Sequence, residues 1–227
     1  MRPAGPAPMR VSVIVPCHNN EQHIAEALSS LRGQTRPPDE IIVVDDGSTD
    51  ASTDRVAAFG AAVTLLRQPN RGVASARNAG VQAARGDFIA FLDGDDAWPC
   101  DSLALRLARL RETGAEMVHG VVRQCLVSVG ADARSPGPAM PGRLAGALLL
   151  NRALFERVGL FDESLSSAET IDWLSRAQAA GVMEAAVPEV VLWRRIHGAN
   201  MMMTRPDVDL NALAVLRRAV ARRRAAS

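Results

Sequence analysis

Three continuous apolar segments, each followed at once by a polar cluster, constrain the fold of this chain most strongly. They read VSVIV at residues 11–15, IIVV at 41–44 and FIAFL at 88–92. A strand that is apolar at nearly every position is typical of a sheet covered by helices on both faces. Segments with helical periodicity separate these strands. The sequence therefore predicts an α/β fold with a mostly parallel central sheet flanked by helices.

The polar clusters after these strands predict a ligand site. They read PCHN at residues 16–19, DDGS at 45–48 and DGDD at 93–96. Right-handed crossovers bring the carboxyl ends of parallel strands to one edge of a sheet, where ligands of such folds bind. We therefore expect the three clusters to lie together.

The cluster DGDD places three carboxylates within four consecutive positions. Like charges this close repel, and two interpretations are open: a solvated turn before a helix capped by Asp101, or a divalent-cation site. Mg²⁺ is typically held by one or two carboxylates together with substrate phosphates. Gly94 would let the backbone bend so that Asp93 and Asp95 face one ion.

Composition excludes several other kinds of site. All 26 basic residues are arginine, because the chain contains no lysine. A P-loop and a pyridoxal enzyme each need a lysine, so neither chemistry is possible here. The formal net charge of +1 does not favour nucleic acid as a partner.

Other sequence features predict a cytoplasmic protein. Three widely spaced cysteines form no disulfide framework. No apolar run approaches the ~20 residues that span a bilayer. Residues 1–9 contain Pro and Gly where a signal peptide needs an apolar core, so a flexible lead is expected there.

The second half of the chain is less regular. A Pro- and Gly-rich segment at residues 135–142 predicts a mobile loop that acts as a boundary or lid. The other predicted elements are a helix at 101–113, two strands within 117–129, helical segments at 144–158 and 170–180, and a strand at 187–193. Residues 206–227 predict a basic helix, for which contact with a membrane surface is one interpretation.

Four motifs in the first half resemble family 2 glycosyltransferases, which have the GT-A fold. They are VSVIVPCHNNEQHIAEALSSL, DEIIVVDDGSTDAS, NRGVASARNAG and GDFIAFLDGDDAW. Weaker matches, GLFDESL and RRIHGAN, extend the resemblance to about residue 200. The resemblance implies one GT-A domain, in which residues 10–103 bind a nucleotide sugar and residues 104–205 form a small acceptor-side subdomain.

The activity implied by the resemblance is transfer of a hexose with inversion at the anomeric carbon. The implied sugar source is a nucleoside diphosphate sugar, with a UDP-sugar favoured, and the implied cofactor is Mg²⁺ or Mn²⁺. A small molecule, a peptide or a glycan precursor would fit as the acceptor.

The resemblance also assigns roles to individual residues of this chain. Asp95 and Asp93 would bind the metal ion, and His197 would complete its shell. The residues implied for nucleotide-sugar binding are Pro16, His18, Glu21, Asp45, Asp46, Arg77, Asp93, Gly94, Arg194 and Arg195. For the two late arginines and His197, a charged strand end is the alternative interpretation. His23 is interpreted as a helix-surface residue.

This sequence differs from the family pattern at the position of the general base. The stretch SAETIDW at residues 167–173 places Thr170 where the family usually has the basic aspartate. A threonine does not act as a base at neutral pH, so Glu169, ahead of Asp172, is the preferred candidate. Two alternatives remain open: an acceptor that needs little help from a base, such as a thiolate, or a protein that only binds the nucleotide sugar. A nucleotidyltransferase is less favoured, because residues 15–22 contain no glycine, and no basic residue other than His18.

Overall fold

The computed structural model describes residues 9–126 and 135–197, together with Val215 and Arg218. Its strands are β1 Val11–Cys17, β2 Glu40–Asp46, β3 Thr64–Gln68, β4 Phe88–Phe91, β5 Met117–Leu126, β6 Ser135–Pro141, β7 Leu148–Asn151 and β8 Glu184–Ile196. Its α-helices are α1 Ile24–Arg32, α2 Ser52–Ala57, α3 Val73–Ala83, α4 Ser102–Thr113, α5 Leu154–Val158 and α6 Glu169–Ala179. No helix within these ranges is long and apolar enough to cross a membrane.

All eight strands belong to one sheet, in the order β3-β2-β1-β4-β7-β5-β6, with β8 added to β5. The pairs β3/β2, β2/β1, β1/β4 and β5/β8 are parallel. The pairs β4/β7, β7/β5 and β5/β6 are antiparallel. The predicted mostly parallel α/β sheet is therefore confirmed, with β1 at the centre of its parallel half.

Helices cover both faces of the sheet and bury two apolar layers. In β1, Val13 and Val15 pack in the layer that contains α1, whereas Ile14 packs in the layer that contains α3. Successive strand residues point to opposite faces, so a strand covered on both sides must be apolar throughout. This packing explains why the first apolar segments of the sequence lack polar alternation.

A glycine sets the distance between α3 and the central strand. A Cβ atom built on Gly80 would lie 2.3 Å from Cγ2 of Ile14, so no larger residue fits without displacement. Gly80 lies on the same helix as Arg77, one turn further along. The close approach therefore brings the Arg77 side chain near the carboxyl ends of the strands.

The segment at residues 135–142, predicted as a mobile loop, is instead the strand β6 over Ser135–Pro141. It pairs antiparallel with β5, for example Val122 with Met140. Proline lacks the N–H that a central strand needs, but an edge strand tolerates it. Since β6 is the last strand in the sheet order, its prolines disrupt no second ladder.

Two further sequence predictions for the second half are wrong. The segment 144–158 is not mainly helical: it contains β7, Leu148–Asn151, buried between β4 and β5, and only the short helix α5. Residues 117–126 form one long strand rather than part of two. Leu148, Leu149 and Leu150 are fully or almost fully buried, which favours a central strand over a helix with one exposed face.

The predicted terminal segments fall largely outside the described residues. Of the predicted lead only Met9 is described, and of the predicted C-terminal helix only Val215 and Arg218. Val215 is buried, and Arg218 forms an ion pair of 3.0 Å with Asp162.

Trp98 lies in the core and fixes the segment that follows DGDD. Its indole Nε1 donates to the carbonyl of Gly146 at 2.9 Å. The guanidinium of Arg106 lies 4.1 Å from the Trp98 ring centroid and donates to the carbonyl of Leu148. Complete burial lowers the pKa of Arg106 to about 9. Trp98 therefore has a structural role, linking the polar edge of the sheet to α4 and β7.

Replacing Gly80 with alanine should destabilise the protein, although alanine favours helices. The added Cβ would overlap Ile14, and overpacking of this kind costs about 1–3 kcal/mol. Urea unfolding should show this loss. In an Ile14→Ala background the same change should cost much less, since the two sites are in contact. A Gly80→Ala protein as stable as the wild type would contradict this packing.

Candidate functional site

The three polar clusters meet at one edge of the sheet, as the sequence predicts. Cys17 at the end of β1 pairs in parallel register with Asp45 near the end of β2. On the other side of β1, the amide of Leu92 donates to the carbonyl of Ile14 at 3.0 Å. The loops after β1, β2 and β4 therefore project from neighbouring strand ends.

Asp46 organises the loop before α3. Its Oδ1 accepts the backbone N–H of Arg71 and the side-chain amide of Gln68, each at 2.8 Å. Its Oδ2 accepts the N–H of Gly72 at 2.8 Å. The carboxylate is buried by these partners. Asp46 thus fixes residues 71 and 72, and its predicted place beside the nucleotide stays a prediction.

His18 is exposed at the mouth of the same region. Its Nδ1 lies 2.9 Å from the carbonyl of Asp46, and its Nε2 lies 3.2 Å from the amide nitrogen of Asn70. A carbonyl only accepts, so Nδ1 carries the proton and Nε2 accepts from Asn70. Asp45 is buried nearby and accepts the N–H of Ser48 at 3.3 Å.

The loop after β1 contacts both neighbouring clusters. Asn20 accepts the N–H of His18 at 3.1 Å, and Glu21 accepts the N–H of Ala51 at 3.0 Å. A Cβ on Gly94 would lie 2.9 Å from Oδ1 of Asn20 and 3.2 Å from the carbonyl of Pro16. A larger residue at position 94 would therefore require the Asn20 side chain to shift.

Arg77 is buried at the centre of the site, with 4% of its surface exposed. Its Nη2 donates to Oδ1 of Asp93 at 2.6 Å, and its Nη1 donates to Oε1 of Glu169. The guanidinium carbon lies 5.9 Å from the ring centroids of Phe91 and Phe161. Burial lowers the pKa of Arg77, but the two carboxylates more than offset it and keep the pKa above its ordinary value.

The other aspartates of DGDD contact the end of β8. Oδ2 of Asp95 lies 3.1 Å from Nε2 of His197. Oδ1 of Asp96 accepts the N–H of Arg195 at 2.8 Å. Burial raises the pKa of Asp96 well above its ordinary value, and the negative charges of Asp95 and Asp93 raise it further.

The two late arginines lie next to each other at the end of β8 and therefore point to opposite faces of the sheet. The Arg195 guanidinium is buried and donates to Glu26 at 2.7 Å and to the carbonyl of Asp95 at 2.8 Å. In this structure Arg195 therefore ties α1 to the DGDD turn. Its predicted contact with phosphate stays a prediction, as does that of Arg194, which is half-buried.

His23 belongs to this cluster, although the sequence predicted a helix-surface residue. Its Nδ1 lies 3.2 Å from Nη1 of Arg195, and its ring centroid lies 5.0 Å from that of His197. Burial lowers the pKa of His23, and the charge of Arg195 lowers it further. The one available signal was the spacing of His23 and Glu26, which puts both on one face at the start of α1.

The three residues predicted to bind the metal fit a divalent cation in part. Ligands bound side by side at ~2.1 Å lie about 3 Å apart, which matches the Asp95–His197 separation. Asp93, the third proposed ligand, is bonded to Arg77. The described residues contain no group of three or more His, Cys, Asp or Glu side chains placed to hold an ion. This donor set suits a cation that completes its shell with substrate phosphates and water.

The candidate base residues lie at the start of α6. Thr170 donates to Oε1 of Glu169 at 3.0 Å. Asp172 is buried and forms a 2.8 Å ion pair with Arg176, which also donates to the carbonyls of Val158 and Leu160. Glu169 is thus linked to Asp93 through Arg77, whereas Asp172 is paired with Arg176.

Comparison with known proteins identifies the relatives of this chain. A putative glycosyltransferase of Bacillus subtilis, EpsH, is 46% identical over 89 residues, which are 38% of this chain and 26% of EpsH. An uncharacterized glycosyltransferase of Nostoc sp. is 34% identical over 150 residues, 62% of this chain and 46% of that protein. An uncharacterized glycosyltransferase of Rickettsia prowazekii is 29% identical over 213 residues, which are 86% of this chain and 66% of that protein. The chain thus spans between a quarter and two thirds of the length of these relatives.

Solved structures share the fold. Staphylococcus aureus TarS 1–349 in complex with UDP-GlcNAc superposes with a TM-score of 0.77 at 23% identity, covering 94% of this chain and 66% of TarS 1–349. The mannosyltransferase PcManGT from Pyrobaculum calidifontis, in complex with GDP-Man and Mn²⁺, gives a TM-score of 0.67 at 25% identity. That match covers 84% of this chain and 58% of PcManGT. The predicted GT-A fold is therefore confirmed.

The pattern of the family described as "Glycosyl transferase family 2" matches residues 12–161. These residues include the three polar clusters and Arg77, and the fold agrees with the match. Because the match extends over well over half of the sequence, this chain belongs to glycosyltransferase family 2.

Proposed function

We propose that this chain transfers a hexose from a nucleoside diphosphate sugar to an acceptor, with inversion at the anomeric carbon and with a divalent cation. The observation that carries the proposal is the meeting of Asp93 and Asp95 with Arg77 and His197 beside the loops after β1 and β2. This edge combines carboxylates that would bind a cation with two polar loops that would border a nucleotide. Ligands of parallel α/β sheets bind at such an edge.

The nucleotide is proposed to lie against His18 and Asp45. Asp45 can accept an N–H of a base, while Asp46 keeps the neighbouring loop in place through three hydrogen bonds. On the basis of the sequence motifs, we favour a UDP-sugar as the donor. Because PcManGT is in complex with GDP-Man, a GDP-sugar is the alternative to test.

Asp95 and His197 are proposed to hold Mg²⁺ or Mn²⁺, with Asp93 beside them. The bound ion would neutralise negative charge that develops on the departing diphosphate. The protein itself would hold the diphosphate near Asp95 and place the anomeric carbon within reach of the acceptor. Small molecules, peptides and glycan precursors are the acceptors proposed.

An inverting displacement also requires a destination for the proton of an acceptor hydroxyl. Glu169 and Asp172 are the candidates on this chain, and each is bonded to an arginine. This observation favours a second candidate function, that of a protein which binds the nucleotide sugar but transfers it slowly or not at all. Thr170 at the usual position of the base points the same way.

Replacing Asp95 with asparagine should abolish metal-dependent nucleotide binding. The neutral amide is a much poorer ligand for a hard cation than a carboxylate, so affinity should fall at least ~10-fold. Titration calorimetry with UDP, GDP and dTDP, each with and without Mn²⁺, measures this loss of affinity. It also identifies which nucleobase the protein prefers.

Asp101→Asn is the matched control for this experiment, since Asp101 is exposed and makes no side-chain cap hydrogen bond. It should bind nucleotide as the wild type does. Mn²⁺-dependent binding with wild-type affinity in Asp95→Asn would contradict the proposed metal site. Failure of the wild-type protein to bind any of the three diphosphates would contradict the proposed function itself.

Replacing Asp46 with asparagine should destabilise the fold at the nucleotide edge. An amide nitrogen would face an N–H donor on at least one side, leaving buried groups without partners at a cost of about 1–3 kcal/mol. Urea unfolding should show this loss, with the exposed Asp54→Asn in α2 as a control expected within about 0.5 kcal/mol of the wild type. Equal stability of both variants would rule out the structural role of Asp46.

A further inference from the structure

The burial and contacts of Glu169 indicate a role other than proton transfer. Only 7% of its surface is exposed. Its Oε1 accepts from both Arg77 and the hydroxyl of Thr170. To take a proton from an acceptor, Glu169 would have to give up the buried counter-ion Arg77. Separating a buried ion pair in this way is strongly unfavourable.

The same guanidinium reaches the metal-side carboxylate. One arm of Arg77 is bonded to Glu169 and the other to Asp93, whose side chain is 39% exposed. A guanidinium is planar and rigid, so the position of one arm fixes the position of the other. Phe91 and Phe161 lie on one side of the group, each with its ring centroid 5.9 Å from the guanidinium carbon, and their own centroids are 5.5 Å apart. The orientation of the Asp93 carboxylate therefore depends on the ion pair between Glu169 and the other guanidinium nitrogen, Nη1.

We propose that Glu169 is a positioning residue, which holds Arg77 and through it sets the Asp93 carboxylate that faces the diphosphate and cation. The inference rests on the proposed function, because it takes Asp93 as part of the nucleotide-sugar site. It assigns Glu169 to nucleotide-sugar binding and removes it from the candidates for the base. Thr170 supports the arrangement by donating to the same carboxylate oxygen.

A double-mutant cycle tests this role. UDP affinity in saturating Mn²⁺ is measured by calorimetry for the wild type, Glu169→Gln, Arg77→Gln and the double variant. Loss of an outer-shell partner of a metal site typically weakens binding by about 10-fold or more, which is the expected effect of Glu169→Gln. If Glu169 acts only through Arg77, the double variant should bind within about twofold of Arg77→Gln alone.

Controls separate positioning from folding and from base catalysis. Glu112→Gln removes a comparable glutamate–arginine pair, with Arg109, at the protein surface and should leave UDP affinity unchanged. The melting temperature of each variant reports on the fold. Should Glu169→Gln fail to fold, Glu169→Asp keeps the charge but is too short to reach Arg77 in the same way, and it should also weaken UDP binding about 10-fold.

The outcomes are distinct. A folded Glu169→Gln protein that binds UDP with wild-type affinity would overturn the positioning role while leaving the proposed function in place, and a base that acts only on turnover would give that result. Additive losses in the double variant would also overturn it. A wild-type protein that binds UDP in no metal condition overturns both proposals.

Discussion

The buried guanidinium of Arg77 joins the two halves of this site. Asp93 follows β4 in the first half of the chain, and Glu169 begins α6 in the second. A buried cation with only one of these carboxylates would lack half of its compensation, so the position of Glu169 at the start of α6 and the shape of the DGDD turn depend on each other. The second half of the chain is thereby coupled to the geometry of the strand ends in the first half.

Close backbone approach makes this coupling possible. Gly80 lets α3 pack directly on Ile14, and Gly94 lets the DGDD turn approach Asn20. In both places the steric limit is a single Cβ atom. The site is therefore assembled from strand ends and a helix that approach each other closely, which suits a reaction that needs fixed distances.

The sequence predicted the first half of the fold well, because its signals are local. Continuous apolar runs specify buried parallel strands, and the polar residues after them must lie at the strand ends. The second half was harder. The prolines at 136, 138 and 141 suggested a loop, and nothing local shows that this segment forms an edge strand, where missing N–H donors are tolerated. The stretch LLLN became a central strand only because β4 and β5 lie on either side of it.

Long-range polar contacts were the least predictable part of the site. His23 meets Arg195 across 172 positions of the sequence, and no periodic pattern links the two. The same limit applies to Glu169 and Arg77, which are separated by 92 positions. The sequence alone could suggest Glu169 as a base from its place beside Thr170. Only the three-dimensional structure shows that Arg77 already forms an ion pair with Glu169.

The three aspartates of DGDD resolve their mutual repulsion in different ways. Asp93 is compensated by the fixed guanidinium of Arg77, and Asp96 is buried against the N–H of Arg195. Neither partner could leave without stranding a buried group. Asp95 instead faces an imidazole, whose Nε2 can exchange a hydrogen bond for a bond to a metal. Asp95 thus differs from Asp93 and Asp96 in facing a side chain of a residue type that itself binds metal ions.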